Sequence, residues 1–294
     1  ALREKGPSDN GDAVSPHLLV MSATPIPRTL ALSIYGDLDM SILDEMPPGR
    51  QEIKTRWLRA SERERAYNFI RRQTAEGRQA FIIYPLVEQG ERSADENRAA
   101  VEEHQRLQRE VFSSVQVGLL HGRMKPEEKE AVMTSFRDGE YTVLVSTSVV
   151  EVGVDVPNAT VMLVEGAERF GLAQLHQFRG RVGRGQEKSY CLLVPGKQDA
   201  VDNERLRAME STTDGFVLAE LDLQQRGPGD FLGTRQSGFA ELRMASLSDV
   251  RLIEKAREHA QAIFATDPEL ENPEHADLSQ MLDRFWSDGR GDRS

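Results

Sequence analysis

The sequence predicts an α/β fold, a parallel sheet with helices on both faces, followed by a helical hairpin, a glycine-rich loop and C-terminal helices. Three observations predict it. Short apolar runs alternate with helical patterns between residues 52 and 194, the arrangement of βαβ units. Residues 80–87 form a continuous apolar run, as in a strand covered on both faces. After Pro195 the apolar runs give way to helical periodicity alone.

The elements follow in order. Residues 1–16 are polar and read as a loop. Residues 17–21 suit a short strand, Ser22-Ala23-Thr24-Pro25-Ile26-Pro27 turns the chain, and residues 28–35 suit a helix. Pro47-Pro48-Gly49 closes the next segment, and residues 52–58 read as a strand. Ser61 and Glu64 form a capping box for a helix whose apolar stripe is Ala66, Phe69 and Ile70. The 80–87 strand, a charged helix over 91–111 and a strand over 115–120 come next. Pro126 opens a helix at its first position, Ala131, Val132 and Phe136 face inward, and Gly139 closes it. Residues 141–145, 160–164 and 189–194 are three more strands, with a helix between the last two. Residues 202–210 and 215–225 read as a hairpin of helices joined at Ser211-Thr212-Thr213-Asp214. A glycine-rich loop covers 226–238, and Leu252, Ala256, Ala260 and Ile263 define a further helix. The last residues, 288–294, read as a frayed end.

Composition narrows the function classes. A chain of 294 residues favours two domains, or one with an appendage. No apolar run is long enough to cross a bilayer, and no basic-then-apolar leader opens the chain. The single cysteine, Cys191, excludes an intramolecular disulfide and any multi-cysteine metal site. It sits in an apolar run and is expected to pack as a small hydrophobe in a cytoplasmic protein. A net charge of −11 argues against a nucleic-acid binder taken alone. Arginines nevertheless gather at 169–184, 205–207, 226–235 and 243–257, so a basic groove on an acidic body stays open.

In Gln177-Phe178-Arg179-Gly180-Arg181-Val182-Gly183-Arg184, helical spacing places Gln177, Arg181 and Arg184 on one face. A guanidinium keeps its proton and offers a fixed fork of donors. Two forks suit a charge that develops during reaction, such as a phosphoryl group in transit. Glycines at 180, 183 and 185 are poor helix residues, and close backbone approach to a ligand is one reason for them. A basic patch at a helix end has the same spacing. Other candidates, Ser22-Ala23-Thr24, His121-Gly122-Arg123 and Ser146-Thr147-Ser148, fall at predicted carboxyl ends of strands, where such sheets collect active residues.

Three of these segments resemble helicase motifs. Ser22-Ala23-Thr24, the stretch from Val143 to Asn158, and Gln177 to Arg184 are similar, in order and spacing, to motifs III, V and VI of superfamily 2 helicases. Met21-Ser-Ala-Thr-Pro-Ile-Pro-Arg-Thr-Leu30 and Asp44-Glu-Met-Pro-Pro-Gly-Arg50 resemble the RecG family, helicases that reverse replication forks. Arg226-Gly-Pro-Gly-Asp-Phe-Leu-Gly-Thr-Arg-Gln-Ser-Gly238, with the hairpin before it, resembles the TRG motif that RecG shares with the transcription-repair factor Mfd.

The resemblance covers about residues 17–265 and implies a RecA-like sheet. Residues 1–40 would be the edge of a first RecA-like domain and 41–198 the second. Residues 199–245 would be the TRG hairpin and loop, and 246–294 a C-terminal helical segment. Arg181 and Arg184 would face the γ-phosphate of ATP across a cleft, helped by Gln177, with Gly153 and Asp155 also facing nucleotide. Ser146 and Thr147 would bond a DNA phosphate, and His121, Gly122 and Arg123 would touch the DNA backbone; His121 suits a structural role equally well. Ser22 and Thr24 would couple ATP state to DNA grip. Arg205, Arg226 and Gln236 would belong to the element that moves along the duplex.

A complete helicase also needs a P-loop for phosphates and an acidic Walker B motif for magnesium. Gly196-Lys197-Gln198 lacks the preceding glycine and the following hydroxyl, and Asp44-Glu45 does not follow an apolar strand. The chain is therefore expected to begin just after motif II. ATP and Mg2+ would be held mainly by a first domain in the N-terminal half of the same protein. The expected activity is that of a monomeric double-stranded DNA translocase on stalled forks and Holliday junctions in repair and recombination, with this chain inactive alone. Its partners would be branched or duplex DNA, with no membrane. The alternatives are a non-catalytic DNA- or partner-binding module and the equivalent part of an Mfd-like translocase.

Overall fold

Six short segments, five of them largely apolar, are strands in a computed structural model of the chain. Described are residues 50–85, 93–147, 155–196, 204–226 and 250–287, with 19, 21, 22, 25, 41–43 and 45 individually. The strands are β1 (Ile53–Trp57), β2 (Gln79–Ile83), β3 (Val117–Leu120), β4 (Val143–Ser146), β5 (Ala159–Glu165) and β6 (Ser189–Val194). They form one sheet in the order β1-β6-β5-β2-β4-β3. Every pairing is parallel, with Ile83 opposite both Ser146 and Val164.

Side chains of a strand alternate between faces, and both faces are covered. Phe81, Ile83, Leu144, Met162, Val164, Cys191 and Leu193 point to one core. There they meet α3 (Pro126–Arg137), α4 (Leu172–Arg179) and α5 (Glu204–Ser211) through Phe136, Phe178 and Met209. Ala80, Ile82, Val143, Val145, Val161 and Leu163 point to the other. That face is covered by Tyr67 and Ile70 of α1 (Arg63–Ala75) and by Leu107, Val111 and Phe112, which follow α2 (Ser93–Arg106). Cys191 is buried and free, and burial pushes its thiol up to about 12, so it packs inertly as expected.

Several boundaries differ from expectation. β2 stops at Ile83, because Pro85 has no amide to donate to the ladder. The capping box before α1 lies two residues earlier than expected: Glu62, not Glu64, accepts an amide, that of Arg59, at 3.0 Å. α2 gives way to a π turn, Leu107–Val111, closed by Phe112 N–H to Leu107 O at 2.7 Å. On α3, Met133 rather than Ala131 is buried with Phe136. Gly139, φ +84°, ends that helix as expected. Residues 19 and 21, expected in a strand, are in none and are exposed. The expected helix over 28–35 and the glycine-rich loop lie outside the described residues.

The chain divides into two compact units. One is Ser41–Asp222, so α5 and most of α6 (Gly215–Arg226) cluster with the sheet. The other joins Ala1–Met40 with Leu223–Ser294; its described helices are α7 (Val250–Thr266) and α8 (Ala276–Ser287). Between these two helices Asp267 accepts the amides of Glu271 and Asn272 at 2.9 and 3.0 Å and meets His275 Nδ1 at 2.7 Å. The His275 bond holds the Asp267 carboxyl below its usual range. Among the described residues no helix is long and apolar enough to cross a membrane.

Candidate functional site

The described nucleotide and nucleic-acid candidates of the sheet unit divide between its amino and carboxyl edges. α4 starts beyond the carboxyl end of β5 and ends near the amino ends of β1 and β6. The expectation that Gln177, Arg181 and Arg184 share one helical face does not hold, because α4 ends at Arg179. Only Gln177 is helical. Arg181 and Arg184 sit in the turn that follows, closed by Arg181 N–H to Phe178 O at 2.9 Å and Val182 N–H to Arg179 O at 3.3 Å.

The glycines of this turn have internal reasons. Gly183 has φ +74°, and a Cβ there would stand 2.8 Å from Ile53 Cγ1. A Cβ on Gly185 would stand 2.7 Å from the Pro157 carbonyl oxygen, so the turn lies against the loop carrying Asp155. Gly183→Ala is expected to destabilise the fold by about 1–3 kcal/mol, through left-handed backbone strain and the clash with Ile53. A urea melt measures this; an unchanged midpoint would contradict it.

Arg184 Nε donates to Gly180 O at 3.2 Å, and its Nη1 lies 3.4 Å from Asp155 Oδ1. A third arginine, not among the expected site residues, joins them: Arg50 Nη2 donates to the same Gly180 O at 3.1 Å. Burial, then the charge of Arg184, lower the Arg50 pKa, and Asp155 opposes them. Gly153 lies outside the described residues. Among the described residues no group of three or more His, Cys, Asp or Glu side chains is placed to hold a metal ion.

Arg179, also missed, is the buried member of the segment. Its Nη1 donates to Met209 O at 3.1 Å and Thr212 O at 2.8 Å, and its Nη2 to Thr213 O at 3.1 Å and His176 Nδ1 at 2.8 Å. Carbonyls at the end of α5 are the negative end of a helix dipole, which compensates a buried cation. At the other end of α4, Asp222 of α6 accepts the Leu172 amide at 3.2 Å. Arg205 of α5 donates to Phe170 O at 2.6 Å and lies 3.9 Å from Asp222. The hairpin therefore holds both ends of α4. Its own link is set by Asp214, whose Oδ1 accepts the amide of Phe216 at 2.8 Å.

His176 lies against this clamp. Burial, with Arg179 second, pushes its pKa down to about 4, and accepting at Nδ1 requires the neutral ring. The unfolded chain takes up this proton near pH 6.5. Stability from the neutral ring is thus complete above that pH and is lost as pH falls toward 4, by at most about 3 kcal/mol. Unfolding free energies across pH 4–8 check this: His176→Gln should flatten the slope by up to one proton, and an unchanged slope would contradict it.

The carboxyl edge carries the other candidates. His121, Gly122 and Arg123 follow β3, with Lys129 Nζ donating to Gly122 O at 2.8 Å. Burial lowers the His121 pKa, and its Nδ1 is buried without a hydrogen bond among the described residues. Ser146 and Thr147 end β4. The Ser146 hydroxyl is buried and donates to Thr147 O at 2.9 Å, whereas Thr147 Oγ1 is buried and makes no hydrogen bond among the described residues. Ser22 is described, but Thr24 and Gln236 and the side chain of Arg226 are not.

Between β2 and β5 the crossovers leave in opposite directions, to β3 and to β6, which makes a switch-point crevice. A cavity of about 240 Å³ lies there, lined by Arg63, Tyr84, Thr147, Glu165 and Arg169. Burial pushes the Glu165 carboxyl up, and Arg63 Nε at 3.0 Å and the Tyr67 hydroxyl at 2.8 Å pull it down. The sequence signal was a charged residue closing an otherwise apolar strand.

Residues 62–186 match the family described as "Helicase conserved C-terminal domain". Residues 212–287 match "ATP-dependent DNA helicase RecG, domain 3, C-terminal", which includes α7 and α8. The protein named ATP-dependent DNA helicase RecG in Synechocystis sp. is 54% identical over 269 residues, covering 91% of this chain and 32% of that protein. Its namesake in Bacillus subtilis is 44% identical over 282 residues, covering 96% and 40%. A solved structure of RecG bound to a three-way DNA junction is 51% identical, with a TM-score of 0.61 over 72% of this chain and 27% of that one. The chain thus spans about a third of the length of the curated relatives it matches. These likenesses favour neither a separate binding module nor an Mfd-like protein. The chain belongs to the RecG family of ATP-dependent DNA helicases, and it matches the C-terminal part of its members.

Proposed function

We propose that this chain supplies the arginine side of an ATP site and part of the DNA-moving surface of a double-stranded DNA translocase acting on branched DNA. One observation carries the proposal: the turn bearing Arg181 and Arg184 follows directly on Arg179, which is locked into the hairpin. A displacement of the turn must then strain or move the hairpin. Arg181 and Arg184 would stabilise charge on the terminal phosphate in the transition state, with Gly153, Asp155 and Gln177 beside the nucleotide. Bound ATP would supply the phosphoryl group and Mg2+ a cation that neutralises its charge, and both would be held mainly by the N-terminal half of the protein.

DNA would run along the opposite edge. Arg123, Gly122, His121 and the Thr147 hydroxyl would meet its backbone, contacts that hold a strand without reading sequence. Ser146 would support Thr147 from within. Ser22 and Thr24 would relay ATP state, and Arg205 would anchor the hairpin from which Arg226 and Gln236 engage the duplex. RecG relatives and the junction-bound structure support branched DNA and the cytoplasm as the setting.

The test is a chimera in which this chain replaces the corresponding part of the Synechocystis relative. Three-way-junction DNA should stimulate ATP hydrolysis by the chimera, and the chain alone should show none. Hydrolysis by the chain alone, or a folded but silent chimera, would overturn the proposal.

A further inference from the structure

We propose that Arg50 is a third phosphate-binding residue of the arginine site, standing beside Arg184 where an anion enters. This rests on the reading that the arginine turn faces a nucleotide. Arg50 reaches the site from outside the helicase motifs: it ends Pro47-Pro48-Gly49-Arg50 and stands three positions before the start of β1. One carbonyl oxygen, Gly180 O, receives Arg50 Nη2 at 3.1 Å and Arg184 Nε at 3.2 Å. That oxygen fixes two guanidinium groups side by side.

Holding the carbonyl alone would not need both. Two like charges this close repel. The carboxylate recorded against the pair is Asp155, 3.4 Å from Arg184 and itself largely exposed. Arg50 Nε is buried without a hydrogen bond among the described residues, so donor capacity remains. Burial and the Arg184 charge both lower the Arg50 pKa, which marks a cation held against an electrostatic cost. A phosphate chain entering here would relieve the repulsion and use the spare donors, since guanidinium forks match phosphate oxygens in pairs.

The test titrates inorganic tripolyphosphate into this chain and follows the arginine Nε–H resonances by NMR. Arg50→Gln, Arg50→Lys and Arg56→Gln are compared with wild type; Arg56 is an exposed arginine paired with Glu210 and controls for non-specific attraction. The resonances of Arg50, Arg181 and Arg184 are expected to shift together. Arg50→Gln should raise the dissociation constant at least fivefold, Arg50→Lys should restore part of the loss, and Arg56→Gln should leave it within twofold. If Arg181 and Arg184 respond while Arg50 neither shifts nor matters, Arg50 is a clamp only: this inference fails and the nucleotide reading stands. If none of the three responds, or Arg56→Gln weakens binding equally, both fail.

Discussion

Arg184→Gln in the Synechocystis chimera is expected to lower junction-stimulated ATP turnover by about 10³-fold or more, the range known for arginines that stabilise phosphoryl transfer. Fold stability should hardly change. Arg184 makes one partly exposed ion pair, at 3.4 Å from Asp155, and such pairs contribute about 0–1 kcal/mol. Its bond to Gly180 O duplicates that of Arg50. A large loss of rate with an unchanged urea midpoint therefore separates a charge-stabilising role from a structural one. Arg184→Lys should recover little, because a point charge does not reproduce the fork. Steady-state ATP hydrolysis with circular dichroism melts measures both sides. A variant that keeps a tenth or more of wild-type turnover would remove Arg184 from the site.

Arg179→Met should have the largest effect on stability, about 3–5 kcal/mol, read from urea unfolding of this chain. The guanidinium is buried and bonds three backbone carbonyls, Met209 O, Thr212 O and Thr213 O. Removing it leaves buried acceptors unmet, each at roughly 1–3 kcal/mol before relaxation. Methionine recovers some apolar contact, which keeps the sum at the lower end. The second consequence concerns coupling. With the hairpin released from the arginine turn, DNA should stimulate ATP turnover by the chimera much less, while basal turnover persists. Unfolding at the wild-type midpoint, or full DNA stimulation in the variant, would show that the hairpin is not held through Arg179.

These two arginines also show what the sequence made legible. Periodicity located all six strands, because residues such as Phe81 and Ile82 face opposite cores and leave an unbroken apolar run. The β6 limits were read correctly, since no proline or glycine interrupts Ser189–Val194. Spacing misplaced the arginines. Helical phase put Gln177, Arg181 and Arg184 together, whereas Gly183 has the left-handed backbone of a turn. Arg179 stood in the same segment without drawing notice, because its partners are carbonyls thirty or more residues on, which carry no side-chain signature. Arg50 and the Arg63–Tyr67–Glu165 cluster were hidden for the same reason: their meeting depends on sheet order. The carboxyl-edge rule holds in position for His121 to Arg123 and for Ser146 and Thr147, whereas α4 leads to Arg181 and Arg184 at the amino edge.

The most direct measurement compares two affinities of the chimera, for ADP and for ADP with aluminium fluoride, a mimic of the phosphoryl group in transit, in wild type and Arg184→Gln. If the arginine turn acts on charge that develops in the transition state, the variant loses most of its extra affinity for the aluminium fluoride complex and binds ADP as before. Equal weakening of both, or of neither, would contradict that role.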